Sequence, residues 1–115
     1  MSAAAALALS EAGYAVLPLA LRTKRPVLAH WPRGPLSRSV VEGWYRDERR
    51  GVGVLTGAPS GGLAVFDVDG IEAERWAVAA SLPVAPVVRT PRGRHLWLRT
   101  LPGVMLRSGT AIRPR

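Results

Sequence analysis

The stretch Leu63-Ala64-Val65-Phe66-Asp67-Val68-Asp69 lies between Gly61-Gly62 and Gly70, and its reading decides the fold. Apolar and β-favouring residues bounded by glycines make it the strongest strand signal in the chain. After Gly70, residues 71–82 read as a helix that carries Trp76 and is stopped by Pro83 and Pro86. Residues 87–90 and 95–99 read as two strands joined by Pro91-Arg92-Gly93-Arg94, a hairpin-turn composition. Upstream, Gly57, Pro59 and Ser60 form a turn, and residues 52–55 a short strand. Ser39 and Glu42 have the spacing of a capping box, opening a helix whose face is Val40, Val41, Trp44 and Tyr45 and which ends near Arg50-Gly51. Residues 20–36 are a long basic loop with Arg22, Lys24, Arg25 and Arg33 among Pro26, Pro32 and Pro35. Residues 14–19 read as a buried strand, preceded by a helix that Ser2 can cap and that stops at Gly13. No pattern marks residues 102–115. With no repeat and no linker, the expectation is a single α+β domain over residues 1–115, a mixed, largely antiparallel sheet flanked by helices.

Composition narrows the function classes. A chain of 115 residues, 48% hydrophobic and 21% charged, is globular and has room for one modest core. No apolar run approaches the roughly 18 residues of a spanning helix, so no membrane association is expected. The Ala-rich start lacks a basic segment and is broken by Glu11, unlike a secretory signal. The absence of Cys excludes disulfides, thiol nucleophiles and thiolate zinc sites, and a cytoplasmic location is expected. Formal net charge is +8, and all sixteen basic residues except Lys24 are Arg, whose planar fork suits phosphate oxygens. A polyanion is the expected class of partner.

Three groups of residues carry chemistry. Alternation along a strand puts Asp67 and Asp69 on one face, about 7 Å apart. Partly buried, two such charges repel by roughly 2 kcal/mol at an effective dielectric near 20, a cost that a hard divalent cation would offset. The alternative is a solvated strand end at which Asp69 caps the following helix. His95, with Trp97 and Arg99 on the same face, can donate to a phosphate oxygen or move a proton near neutral pH, or be structural. A basic fringe of Lys24, Arg25, Arg89, Arg92 and Arg94 completes the set. It would face the carboxylates if the hairpin neighbours their strand, or else it is a solvated edge that discourages sheet association.

The segment Val65-Phe66-Asp67-Val68-Asp69-Gly70 resembles the opening motif of haloacid dehalogenase-like phosphatases. That resemblance fails at Ile71, where the family has Thr, and in lacking a downstream Lys and any acidic residue after Glu74. A second resemblance spans nearly the whole chain. The Ala-rich helix with Gly13-Tyr14-Ala15-Val16-Leu17-Pro18-Leu19, then Lys24-Arg25-Pro26, His30-Trp31, Trp44-Tyr45, Gly51-Val52-Gly53-Val54-Leu55-Thr56-Gly57, Ser60-Gly61-Gly62-Leu63, Asp67-Val68-Asp69-Gly70 and Val88 through Arg99 follow in order. In that order they resemble the N-terminal catalytic domain of bifunctional DNA primase/polymerases, of the archaeo-eukaryotic primase superfamily.

The resemblance implies a primase-polymerase core of RRM-like kind and a nucleotidyltransferase acting in DNA replication on nucleoside triphosphates and a DNA template and primer. By position it puts the metal-binding acidic pair, for Mg²⁺ or Mn²⁺, on Asp67 and Asp69 and the nucleotide-binding imidazole on His95. Arg92, Arg94 and Lys24 could then steady the triphosphate, and Lys24, Arg25 and Arg89 could meet nucleic acid. A helicase domain or protein is an implied partner. The family's third acidic residue has no counterpart. Leu106 through Arg115 resembles the stretch just before it, so the expectation is a C-terminally truncated domain with impaired activity, or Ala111 standing in place of the Asp. The competing expectation is a non-catalytic, Arg-rich nucleic-acid-binding module or truncated remnant.

Overall fold

A computed structural model of the chain describes residues 2–46 and 50–107. The chain forms two compact units, Met1–Gly62 and Leu63–Arg115. The readings of residues 108–115, including Ala111-Ile112-Arg113, lie outside the described residues.

In the first unit, helix α1 (Ser2–Glu11) ends where the sequence demands it. Gly13 takes φ +101°, and the amides of Gly13 and Tyr14 return to the carbonyls of Ser10 and Leu9 at 3.0 and 3.1 Å. These paired bonds satisfy the last carbonyls of the helix, a closure that needs a left-handed residue and hence favours glycine. Strand β1 (Val16–Leu19) pairs antiparallel with β2 (Gly51–Val54), Val16 opposite Val54 and Leu19 opposite Gly51. Helix α2 (Arg38–Trp44) packs Val41 beside Ala6, Val16 and Tyr45 in the unit's core. Two polar groups are tied into this core. Ser60, in the 3-10 turn Ala58–Ser60, accepts the Ala15 amide at 2.9 Å, and the Tyr45 hydroxyl donates to the Gly51 carbonyl at 2.9 Å.

The capping box expected at Ser39 does not form. Ser37 is the N-cap residue, which puts Ser39 inside the helix, while Glu42 accepts instead from Arg38 Nε at 2.6 Å, one turn away. The helix also stops at Trp44, short of Arg50.

In the second unit, β3 (Leu63–Asp69) runs directly into helix α3 (Gly70–Ala79), and β4 (Val87–Thr90) and β5 (Gly93–Arg99) form a hairpin across the two-residue turn Pro91-Arg92. The sheet order is β3-β5-β4, so the hairpin's second strand lies in the middle. All pairings are antiparallel, and the strands divide between two sheets rather than sharing one. Phe66, Val68 and Leu96 meet Ala73, Ala77 and Leu82 in the core between sheet and helix, and the rings of Phe66 and Trp76 stack at 5.0 Å. Gly93 makes the tightest passage. A Cβ there would overlap the Val68 carbonyl oxygen and stand 3.3 Å from the Asp69 Cα.

Two expectations follow for stability. Gly93→Ala should cost about 3 kcal/mol or more in chemical denaturation, as overpacking against a backbone that cannot yield, whereas Gly43→Ala in α2, where a Cβ meets nothing, should stabilise by roughly 0.5–1 kcal/mol. Burial pushes the Tyr45 hydroxyl up to about 12. The folded state therefore holds that proton more tightly than the unfolded chain, and the stability it contributes is complete below pH 10 and lost as pH rises to about 12. Melting across that window should show the decline in the native chain and a shallower one in Tyr45→Phe, which at neutral pH is about 1 kcal/mol less stable for the lost bond.

Candidate functional site

The register of β3 on β5 sets the site. Asp67 stands opposite His95 and Asp69 opposite Gly93, and directly opposed residues of an antiparallel pair share a face. That face carries Val65, Asp67 and Asp69 from β3 and His95, Trp97 and Arg99 from β5, with Phe66, Val68 and Leu96 turned to α3 on the other. His95 Nε2 lies 3.4 Å from Asp67 Oδ1, with the imidazole about one third exposed at 35% and the carboxylate at 59%. The imidazole and the acidic pair thus lie on one side of the sheet.

Asp69 occupies the N-cap position of α3 but makes no side-chain bond to the helix. Its carboxylate is therefore not used for capping, the role that the solvated-end alternative assigned to it. Both carboxylates are exposed, not partly buried as the sequence leads one to expect, and water screens them from each other. At the dielectric of water their repulsion at about 7 Å is only about 0.6 kcal/mol, and nothing is needed to offset it.

The basic fringe is split by the sheet. Arg92, in the hairpin turn, is exposed beyond the Asp69 end of β3. Arg94 lies opposite Val68, on the α3 side, and donates through Nε and Nη2 to both oxygens of Glu74 at 2.9 and 2.8 Å. Those bonds hold the Glu74 carboxyl below the usual carboxylate range. The expectation that Arg94 faces the acidic pair thus meets the period of the strand, which sends alternate side chains to opposite faces. Arg89 stands opposite Arg94 and shares its face. Lys24 and Arg25 belong to the first unit, where both are exposed in the loop after β1.

Two residues that position the site escaped the sequence reading. Gly93 admits the β3 backbone, and the signal was a glycine inside a strand rather than in the turn assigned to it. Glu74 anchors β5 from twenty residues away, and no local pattern announces such a pair.

As a donor set, two accessible carboxylates paired with no Arg or Lys among the described residues, Asp67 with His95 beside it, suit a hard ion such as Mg²⁺, which takes one or two carboxylates and shares its other positions with water and substrate phosphates. Among the described residues no group of three or more His, Asp or Glu converges to cage a metal. No helix among them is long and apolar enough to cross a membrane.

No curated protein and no solved structure matches the chain. The family model for bifunctional DNA primase/polymerase, N-terminal, matches residues 6–114. With nearly its whole length so matched, and the acidic strand and His95 strand side by side in the order the motifs require, the chain belongs to the Prim-Pol family of bifunctional DNA primase/polymerase N-terminal domains.

Proposed function

We propose that the face bearing Asp67, Asp69 and His95 binds a nucleoside triphosphate with Mg²⁺ or Mn²⁺ and serves template-directed nucleotidyl transfer in DNA synthesis. The observation that carries this reading is the 3.4 Å approach of His95 to Asp67 on a face where Asp69 is also uncommitted. Asp67 and Asp69 would hold the ion, which when bound supplies charge neutralisation to the attacking and leaving oxygens of a phosphoryl transfer. His95, beside Asp67, is placed to donate a proton from its ring to a phosphate oxygen. Arg92, at the Asp69 end, offers a guanidinium to the same phosphates. Arg94 takes no part in this reading and instead holds β5 to α3, which fixes the strand that presents His95. Since no side chain here serves as a nucleophile, the contribution of the protein is positioning and charge, which suffices for this class of chemistry.

Binding of a nucleoside triphosphate to the 115-residue chain, measured by calorimetry, should require Mg²⁺ or Mn²⁺. Asp67→Asn and Asp69→Asn should each weaken it about tenfold or more, the loss of a charge-assisted contact of about 1.5–3 kcal/mol, with unchanged melting. Metal-independent binding, or binding indifferent to both substitutions, would instead favour a non-catalytic Arg-rich module. Primer extension by this chain should be weak, because the sequence carries no Asp or Glu beyond Glu74 to serve as a third acidic ligand. Vigorous extension would show that the metal ligands lie elsewhere.

A further inference from the structure

We propose that β4 is a docking edge for an extended peptide of another protein, one that presents an acidic and an apolar side chain two residues apart. The proposal concerns the second unit alone and is independent of the Asp67/Asp69 site.

Strand β4 ends its sheet, with β5 on one side and no described strand on the other. Trp97 N donates to the Pro86 carbonyl at 3.0 Å, one step beyond the pairing of Val87 with Leu96. Bonded and non-bonded pairs alternate along an antiparallel ladder, so Val88 and Thr90 direct their backbone groups to β5. Val87 and Arg89 therefore turn their N–H and carbonyl groups outward, where a further strand can pair with them. Pro86, which has no N–H, and Pro91 bound this run and confine it to one short segment.

The side chains of the same two residues define what the added strand must carry. Val87 pairs with Leu96 and Arg89 with Arg94, so both lie on the face toward α3. Beside Val87 a groove of about 320 Å³ separates the end of α3 from the sheet. Leu82 and Leu96 are the covered part of its lining, while Val78 and Val84 are exposed, Val84 completely, and Val87 is 50% exposed. Apolar surface of this kind beside a free edge favours an apolar side chain opposite Val87.

At Arg89 the requirement is the reverse. Glu74 gives both carboxylate oxygens to Arg94, and Arg89 is left exposed with no ion pair to a described residue. An acidic side chain opposite Arg89 relieves the repulsion between the two guanidiniums. In an antiparallel strand the residue opposite Arg89 precedes the one opposite Val87, so the motif reads acid, any residue, apolar. A second copy of the chain does not meet this requirement, because β4 laid against β4 brings Arg89 no acid. Main-chain bonds from an edge, with alternate side chains setting the choice of partner, are the physics of strand addition.

The test is an NMR titration of the isotope-labelled 115-residue chain, without metal or nucleotide, with the peptide Gly-Ser-Thr-Asp-Thr-Leu-Thr-Ser-Gly. The amides of Val84, Val87 and Arg89 should shift, and those of β3 should not. A peptide with Lys in place of Asp should bind roughly 2- to 30-fold more weakly, and Arg89→Glu should reverse that preference with unchanged melting. Methylation of the peptide's Leu nitrogen, which removes a ladder donor and leaves both side chains in place, should abolish binding. The peptide series on the native chain decides the matter even where Arg89→Glu alters the fold. No binding at millimolar peptide, equal binding of the Asp and Lys peptides, indifference to methylation, or self-association through β4 in place of peptide binding would overturn the proposal.

Discussion

The second unit depends on how closely β5 can lie against β3. Gly93 passes so near the Val68 carbonyl that any side chain would displace one strand from the other. With the approach allowed, the register is fixed at Asp69 opposite Gly93, and every later pairing follows, including Asp67 opposite His95. A slip by one residue would send His95 to the side of α3 and bring Arg94 to the acids. The chemistry of the face is thus decided by a position with no chemistry of its own.

Much of this was legible in the sequence. The strand over residues 63–69 and the strand over residues 87–90 coincide with the expected bounds, because glycine and proline mark their ends. Period two alone put Asp67, Asp69 and, on its own strand, His95, Trp97 and Arg99 on common faces. What alternation within one strand cannot supply is the registry between strands, and it is the registry that puts Arg94 opposite Val68, away from the acids. Local signals misled where two local bonds compete. Ser39 and Glu42 have capping spacing, yet Arg38 takes Glu42, because a salt bridge one helical turn apart suits the residues equally well. The division of the strands between two sheets has no sequence signature, since apart from the β4–β5 hairpin the pairings β1–β2 and β3–β5 join segments far apart in the chain.

Charge is distributed by role. Among the described residues, the Arg side chains that meet acids are Arg38 and Arg94, which brace helices against their surroundings, while the cations of the loop after β1 are exposed and meet no described acid. The net charge of +8 therefore understates the local field of the first unit, where a run of sequence between Glu11 and Glu42 carries only positive charge.

Arg89 and Arg94 are direct partners across the hairpin, a like-charged pairing that antiparallel strands ordinarily avoid. Glu74 reaches across from α3 to occupy one of the two guanidiniums. A carboxylate on a helix thereby offsets the repulsion within the ribbon, and acid that protonates it would return the two guanidiniums to each other while the backbone ladder still joins β4 to β5.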